Sequence, residues 1–198
     1  QLSLKGNYNG YYEDFKSKIE LSFSNGIITS DIDLNTVDGL INLKANLTSD
    51  SLNIGKLLDM EPILGKTSFN IEATGSGYSM GKMKYQMNCN LSKTDFYGYR
   101  DNKLGLKGSY FGDSINADLS IDDKTLLMKA IVKAYINGEP EFDVHANIER
   151  ANMDKLNFIS GYQFAISSIV NIDIKGTDLS SLNTDISLIN SQLSFDDK

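Results

Sequence analysis

With 198 residues, 40% of them apolar, the chain has enough length and hydrophobicity for a folded core, either as one large β domain or as two small ones. A formal charge of -7 argues against nucleic acid, whose binding rests on Lys and Arg neutralising phosphates, and against attachment to anionic lipid headgroups. The single cysteine cannot close an internal disulfide, and no apolar run nears the ~18 residues of a membrane-spanning helix.

The chain opens on Leu2-Ser-Leu-Lys-Gly-Asn-Tyr-Asn-Gly10, a word that returns as Leu104-Gly-Leu-Lys-Gly-Ser-Tyr-Phe-Gly112. Gln1 abuts this strand-like pattern directly, so the chain reads as a piece of a longer protein whose targeting segments are expected outside it. Next, Ile19, Leu21 and Phe23 alternate with Lys18, Glu20 and Ser22, the period-two mark of a strand with one buried and one wet face. Asn25-Gly26 and Asp38-Gly39 follow as hairpin turns, since both pairs tolerate positive φ. Asp31-Ile-Asp33 between them lacks the spacing of a calcium loop and reads as solvated carboxylates, as do Asp122-Asp123 and Asp196-Asp197. Ile41, Leu43, Ala45 and Leu47 then alternate with Asn42, Lys44 and Asn46.

Alternation breaks at Leu52-Asn-Ile-Gly-Lys-Leu-Leu58, which reads as one helical turn at most, leaving the sheet to cover an edge or end of its apolar side. Phe69, Ile71 and Ala73 resume the strand pattern. Gly75-Ser-Gly77 has no following helix to make it a phosphate cradle. Ser79-Met-Gly-Lys82 matches a Ser-x-x-Lys nucleophile motif but sits in a Gly-rich turn without companion motifs, so the match is accidental. Tyr85, Met87, Cys89 and Leu91 form another alternating run, in which Cys89 reads as a small buried hydrophobe.

After the second copy of the opening word come Ile115, Ala117, Leu119 and Ile121, then Met128, Ala130, Val132 and Ala134, then the turn Asn137-Gly138. Phe142, Val144, Ala146 and Ile148 place the only histidine, His145, on the polar side of a strand, where it is solvated surface rather than a general base. Met153-Asp-Lys-Leu-Asn-Phe-Ile159 repeats the short helical phrase. Val170, Ile172 and Ile174 follow, and finally Ile186 and Leu188.

Residues Ala45 to Gly75 run in gapless register with Ala146 to Gly176, with Phe69-Asn-Ile-Glu72 against Val170-Asn-Ile-Asp173. Small slips align Thr94-Asp-Phe96 with Leu193-Ser-Phe195. The expectation is a duplication: residues 1–102 as a first β repeat and 103–198 as a second, continuous in one elongated domain. About ten strands in an antiparallel meander would each carry three or four inward apolar residues. Two all-β solutions are open. One is a sandwich or barrel closed on itself; the other is a single curled sheet whose concave apolar face stays partly open, which repetition favours.

No catalytic constellation and no metal-ligand set is legible, so the chain is expected not to be an enzyme and to need no cofactor. The candidate site is the apolar face. In the first half it comprises Ile19, Leu21, Phe23, Ile41, Leu43, Leu47, Phe69, Ile71, Met87 and Leu91. In the second it comprises Leu119, Ile121, Val132, Phe142, Val144, Ile148, Val170, Ile172, Ile174, Ile186 and Leu188.

The Leu-x-Leu-x-Gly words at Leu2 to Gly6 and Leu104 to Gly108, with the phrases Ser51 to Leu58 and Ala151 to Ile159, resemble the TamB branch of the AsmA-like, bridge-like lipid transfer proteins of Gram-negative bacteria. The resemblance is one of cadence over the whole chain. It implies a curled "β-taco" gutter within a long periplasmic protein anchored in the inner membrane. It further implies movement of phospholipid between membranes and, through regions outside this segment, a partner of the Omp85 class in outer-membrane biogenesis and protein secretion.

An alternative function is a structural or adhesive β repeat of a surface protein, with its core filled by its own side chains. A third is a carbohydrate-binding sandwich using tyrosines as stacking platforms, although Tyr8, Tyr11 and Tyr12, like Tyr97 and Tyr99, cluster near turns.

Overall fold

The computed structural model describes residues 2–59, 61, 64–79, 82–96, 98–157, 159, 163–176 and 183–195. Alternation becomes strand throughout. Twelve strands, rather than about ten, form one antiparallel sheet in which each is hydrogen-bonded to its sequence neighbours, and the sheet does not close. The closed sandwich or barrel is thereby overturned. Two compact units divide the chain: Gln1–Lys103 with Ser109–Gly112, and Leu104–Gly108 with Asp113–Lys198.

The first unit holds β1 (Ser3–Tyr11), β2 (Asp14–Phe23), β3 (Gly26–Val37), β4 (Leu40–Asn53), α1 (Ile54–Leu58), β5 (Lys66–Gly77) and β6 (Lys84–Phe96). The strand β7 (Tyr99–Phe111) gives residues to both units. At the β3–β4 turn Asp38 and Gly39 both take positive φ, 51° and 75°, the backbone of a two-residue hairpin whose twist matches its strands.

Near its end β4 carries a bulge between Ser49 and Leu52, with Ser51 at φ 82°. The chain then leaves the sheet. Asn53 caps α1 by accepting a hydrogen bond from the Lys56 amide, and Asp59 ends it in the left-handed conformation. Leu52 is fully buried, and the Asn53 amide donates to the Asn25 carbonyl, tying the end of β4 to the β2–β3 turn.

The second unit holds β8 (Ser114–Asp122), β9 (Leu126–Tyr135), β10 (Glu141–Asn152), β11 (Phe164–Lys175) and β12 (Asn183–Phe195). β10 is bulged after Ile148, and the Asn152 amide donates to the Thr125 carbonyl. The phrase from Met153 begins as a turn through Asn157, not a helix, with Leu156 buried at its centre. Phe158 within that phrase, Met80 and Gly81 of the Ser-x-x-Lys match, Asp196-Asp197 and Tyr97 lie outside the described residues.

Among the described residues few large side chains are fully enclosed: Leu34, Leu52, Met83 and Leu156, joined by Cys89 and several alanines. A closed domain of this length buries far more. Extensive packing runs between sheet neighbours, and α1 packs on β5. No described helix is long and apolar enough to cross a membrane.

Candidate functional site

In an antiparallel sheet, directly opposed residues point to the same side, so the register assigns every side chain to a face. In the first unit one row crosses five strands as Ile19, Ser30, Leu47, Ile71 and Cys89. Its neighbour runs Phe15, Leu34, Leu43, Gly75 and Tyr85, with Ala45, Ala73 and Met87 opposed between these rows. Leu21 opposes Leu4 and Ile28, Phe23 opposes Gly26, Ile41 opposes Gly77, and Phe69 opposes Leu91. All the expected first-half residues therefore share one face.

The second unit has the same construction. Ala117, Val132, Val144, Ile172 and Ile186 form one row; Leu119, Ala130, Ala146, Val170 and Leu188 form the next. Ile121 and Ile148 both oppose Met128, and Phe142 opposes Ala134 and Ile174. These residues also share one face within their unit.

The face is covered only in part. Most of its large aliphatics are half-buried, Met87 and Phe142 are each 37% exposed, and Ile186 and Leu188 on β12 are each 64% exposed. Among the described residues no second layer packs across it. At one end of the first unit the face is self-filled. Gly75 and Gly77 leave a notch that Met83, 1% exposed, and Tyr85 occupy, and the Tyr85 hydroxyl donates to the Met83 Sδ at 3.4 Å. A Cβ on Gly77 would lie 2.8 Å from the Met83 Cα, so the glycine is required there.

At the bulged end, hydroxyls pair across strands: Thr67 with Thr94 in the first unit, and Ser168 with Ser191 at 2.8 Å in the second. These hydroxyls are satisfied inside an otherwise apolar surface.

The opposite face is charged and ordered by register. Lys16 reaches Asp33 at 2.8 Å and Lys18 reaches Asp31 at 3.0 Å, both directly opposed pairs, and Lys175 reaches the opposed Glu141 at 2.9 Å. The Lys16 hydrogen bond holds the Asp33 carboxyl below the usual carboxylate range, and Asp33 raises Lys16 in return. The hydrogen bond that Lys175 donates to Glu141 likewise raises the lysine. His145 is exposed on this face and hydrogen-bonds Asn171. On the apolar face Cys89 is 6% exposed, and burial pushes its thiol up, away from the reactive thiolate.

Among the described residues no three His, Cys, Asp or Glu side chains come together as metal ligands. A cleft of about 300 Å³ in the second unit collects Lys133, Asp143 and Asp173 near the β9–β10 turn, without histidine or thiol. It offers mixed charge, with Ser114 and Tyr135 among its lining hydroxyls.

Sequence reasoning missed β3, whose Ile28, Ile32 and Leu34 join the apolar face. The Ile27-Ile28 doublet hid its phase, since Ile27 lies on the polar side, 48% exposed. Phe15 was also missed, although it lies four residues before Ile19 at even spacing. No family model, no curated protein and no solved structure matches the chain.

Proposed function

We propose that the chain is a segment of a lipid conduit, in which the half-covered apolar face of each unit takes the acyl chains of phospholipid. One observation carries the reading: aliphatic side chains from successive strands lie on one face of an unclosed sheet, and no described element packs over them. Filling such a face with hydrocarbon is favourable by about 0.8 kcal/mol per methylene, so a ~16-carbon chain leaving water gains on the order of 12 kcal/mol without a specific anchor. Walls of Ile, Leu, Val and Ala suit sliding along the face.

The same reading takes the two units as copies of one six-strand repeat forming a curled, elongated gutter. In its support, each fourth strand is bulged, its end is tied back by the Asn53 or Asn152 amide, and a hydroxyl pair follows, Thr67–Thr94 or Ser168–Ser191. On this reading the hydroxyl pairs would match Ser191 to Thr94, two residues from the Leu193 of the sequence alignment. The reading takes its setting from the TamB-like cadence of the sequence: the periplasm of a Gram-negative bacterium, within an inner-membrane-anchored protein that meets an Omp85-class partner through other regions.

A photo-crosslinking residue at Leu43, Ile71, Val144 or Ile172 is expected to capture phospholipid in cells, and the same residue at Lys44 or Glu72 is not, because adjacent strand residues point to opposite sides. Equal capture from both faces, or none from either, would refute the conduit. The alternative of a structural repeat with a self-filled core is favoured only locally, where Met83 and Tyr85 close their notch.

A further inference from the structure

Strand-to-strand turns of a meander alternate between its two ends, so in the first unit the β1–β2, β3–β4 and β5–β6 turns and the C-terminal end of β7 lie at the same end of the strands. The Lys84 ammonium, 4.6 Å from the centre of the Phe111 ring, shows the start of β6 beside the end of β7. Each of these places carries an exposed large apolar side chain. Tyr11 is 86% exposed, Tyr12 89%, Val37 59%, Tyr78 78% and Phe111 55%.

Nothing in the local backbone asks for them. The β3–β4 turn is made by Asp38 and Gly39, while the β1–β2 hairpin is braced by Thr36 donating to the Glu13 carbonyl and by Tyr8 donating to the Tyr11 carbonyl. The other end of the unit differs in kind: its exposed apolar side chains, Leu2, Leu4, Ile27 and Leu57, are aliphatic without a polar tip, the β2–β3 turn is Ser24-Asn25, and Leu52 is turned inward.

We infer that this aromatic end docks on the interface of a zwitterionic phospholipid bilayer. A tyrosine ring with its polar tip matches the depth at which hydrocarbon gives way to headgroups. Side chains at the tips of several strands address a broad flat surface better than a groove. Charge selects among lipids: Glu13, Asp14 and Asp38 outnumber Lys82 and Lys84 at this end, on a chain of net charge -7, so anionic headgroups are disfavoured and neutral ones accepted. Docking here is independent of what the apolar face binds.

Because the chain has no tryptophan, Tyr12→Trp supplies a single reporter. With dioleoylphosphatidylcholine vesicles its emission is expected to shift to the blue, and the native chain to float with the vesicles at low and high salt alike. The triple variant Tyr11→Ser, Tyr12→Ser, Tyr78→Ser is expected to lose vesicle partitioning about tenfold or more, on the scale of three rings withdrawn from an apolar phase. Leu57→Ser, an exposed site on α1 at the other end, should leave partitioning unchanged. Thermal melting checks each fold; if the triple variant melts early, Tyr78→Ser alone carries the test, with a smaller loss expected.

Failure of the native chain to float overturns the docking, as does a loss in Leu57→Ser equal to that of the tyrosine variants. Binding that requires anionic lipid and vanishes in salt overturns it too. Photo-crosslinking on the apolar face reads the conduit separately, so either proposal can fail alone.

Discussion

Met83 is the residue on which one end of the first unit's apolar face depends. It is 1% exposed, lies over the glycines at 75 and 77, and accepts the Tyr85 hydroxyl at its sulfur. Met83→Ala is expected to cost about 2–5 kcal/mol, because the notch has no Cβ atoms of its own to relax inward. Urea unfolding would measure it, and a loss no larger than that of an exposed substitution would mean that the notch is loosely filled. The sequence did not announce this residue. Met83 stands two residues before Tyr85, in phase with the alternating run, yet nothing in the sequence sets it against the two glycines. Cys89, by contrast, was legible from its alternation and is buried as expected.

At the scale of the strand, period two fixed nearly everything: once Ile19 or Val144 is given a face, the register carries every second residue to the same face. What it could not reach was any place where the count shifts, such as the bulges near Ser51 and Asn190, both at positive φ, or where two apolar residues are adjacent, as in β3. The paired charges of β2 and β3 are visible only once register is known, and they make a signed prediction. Asp33 is held below the usual carboxylate range by Lys16, so its contribution is present at neutral pH and disappears as pH falls through the lowered value. Lys16, raised by Asp33, keeps its share until pH climbs past the ordinary lysine range. Asp33→Asn is therefore expected to lower the melting temperature slightly at neutral pH and to match the native chain in strong acid. Lys16 is exposed and Asp33 about one-third exposed, so the difference should be small and should shrink with salt. A gap that widens toward acid pH would contradict the pairing.

For the molecule as a whole, the open apolar face has a calorimetric signature. A closed globular chain of 198 residues unfolds with a heat-capacity change of about 2.4–3.0 kcal/mol/K, at ~12–15 cal/mol/K per residue. Side chains already half wet in the native state expose less new surface, so the lipid-free chain should fall clearly below that range, and acyl chains on the face should raise the value. A value inside the range for the lipid-free chain would mean that the face is covered after all. All-β composition and two-faced strands were written in the sequence. Closure was not, because alternation is the same whether the apolar side meets another sheet, its own curl or a guest. Among the described residues of either unit, pairing and extensive packing run between successive strands, without a long-range clasp. Each strand is retained only by its neighbours, so such a sheet can peel from its margin inward, as a ply lifts from a laminate. Amide hydrogens on exposed β12 should exchange first, with protection deepening strand by strand toward β9.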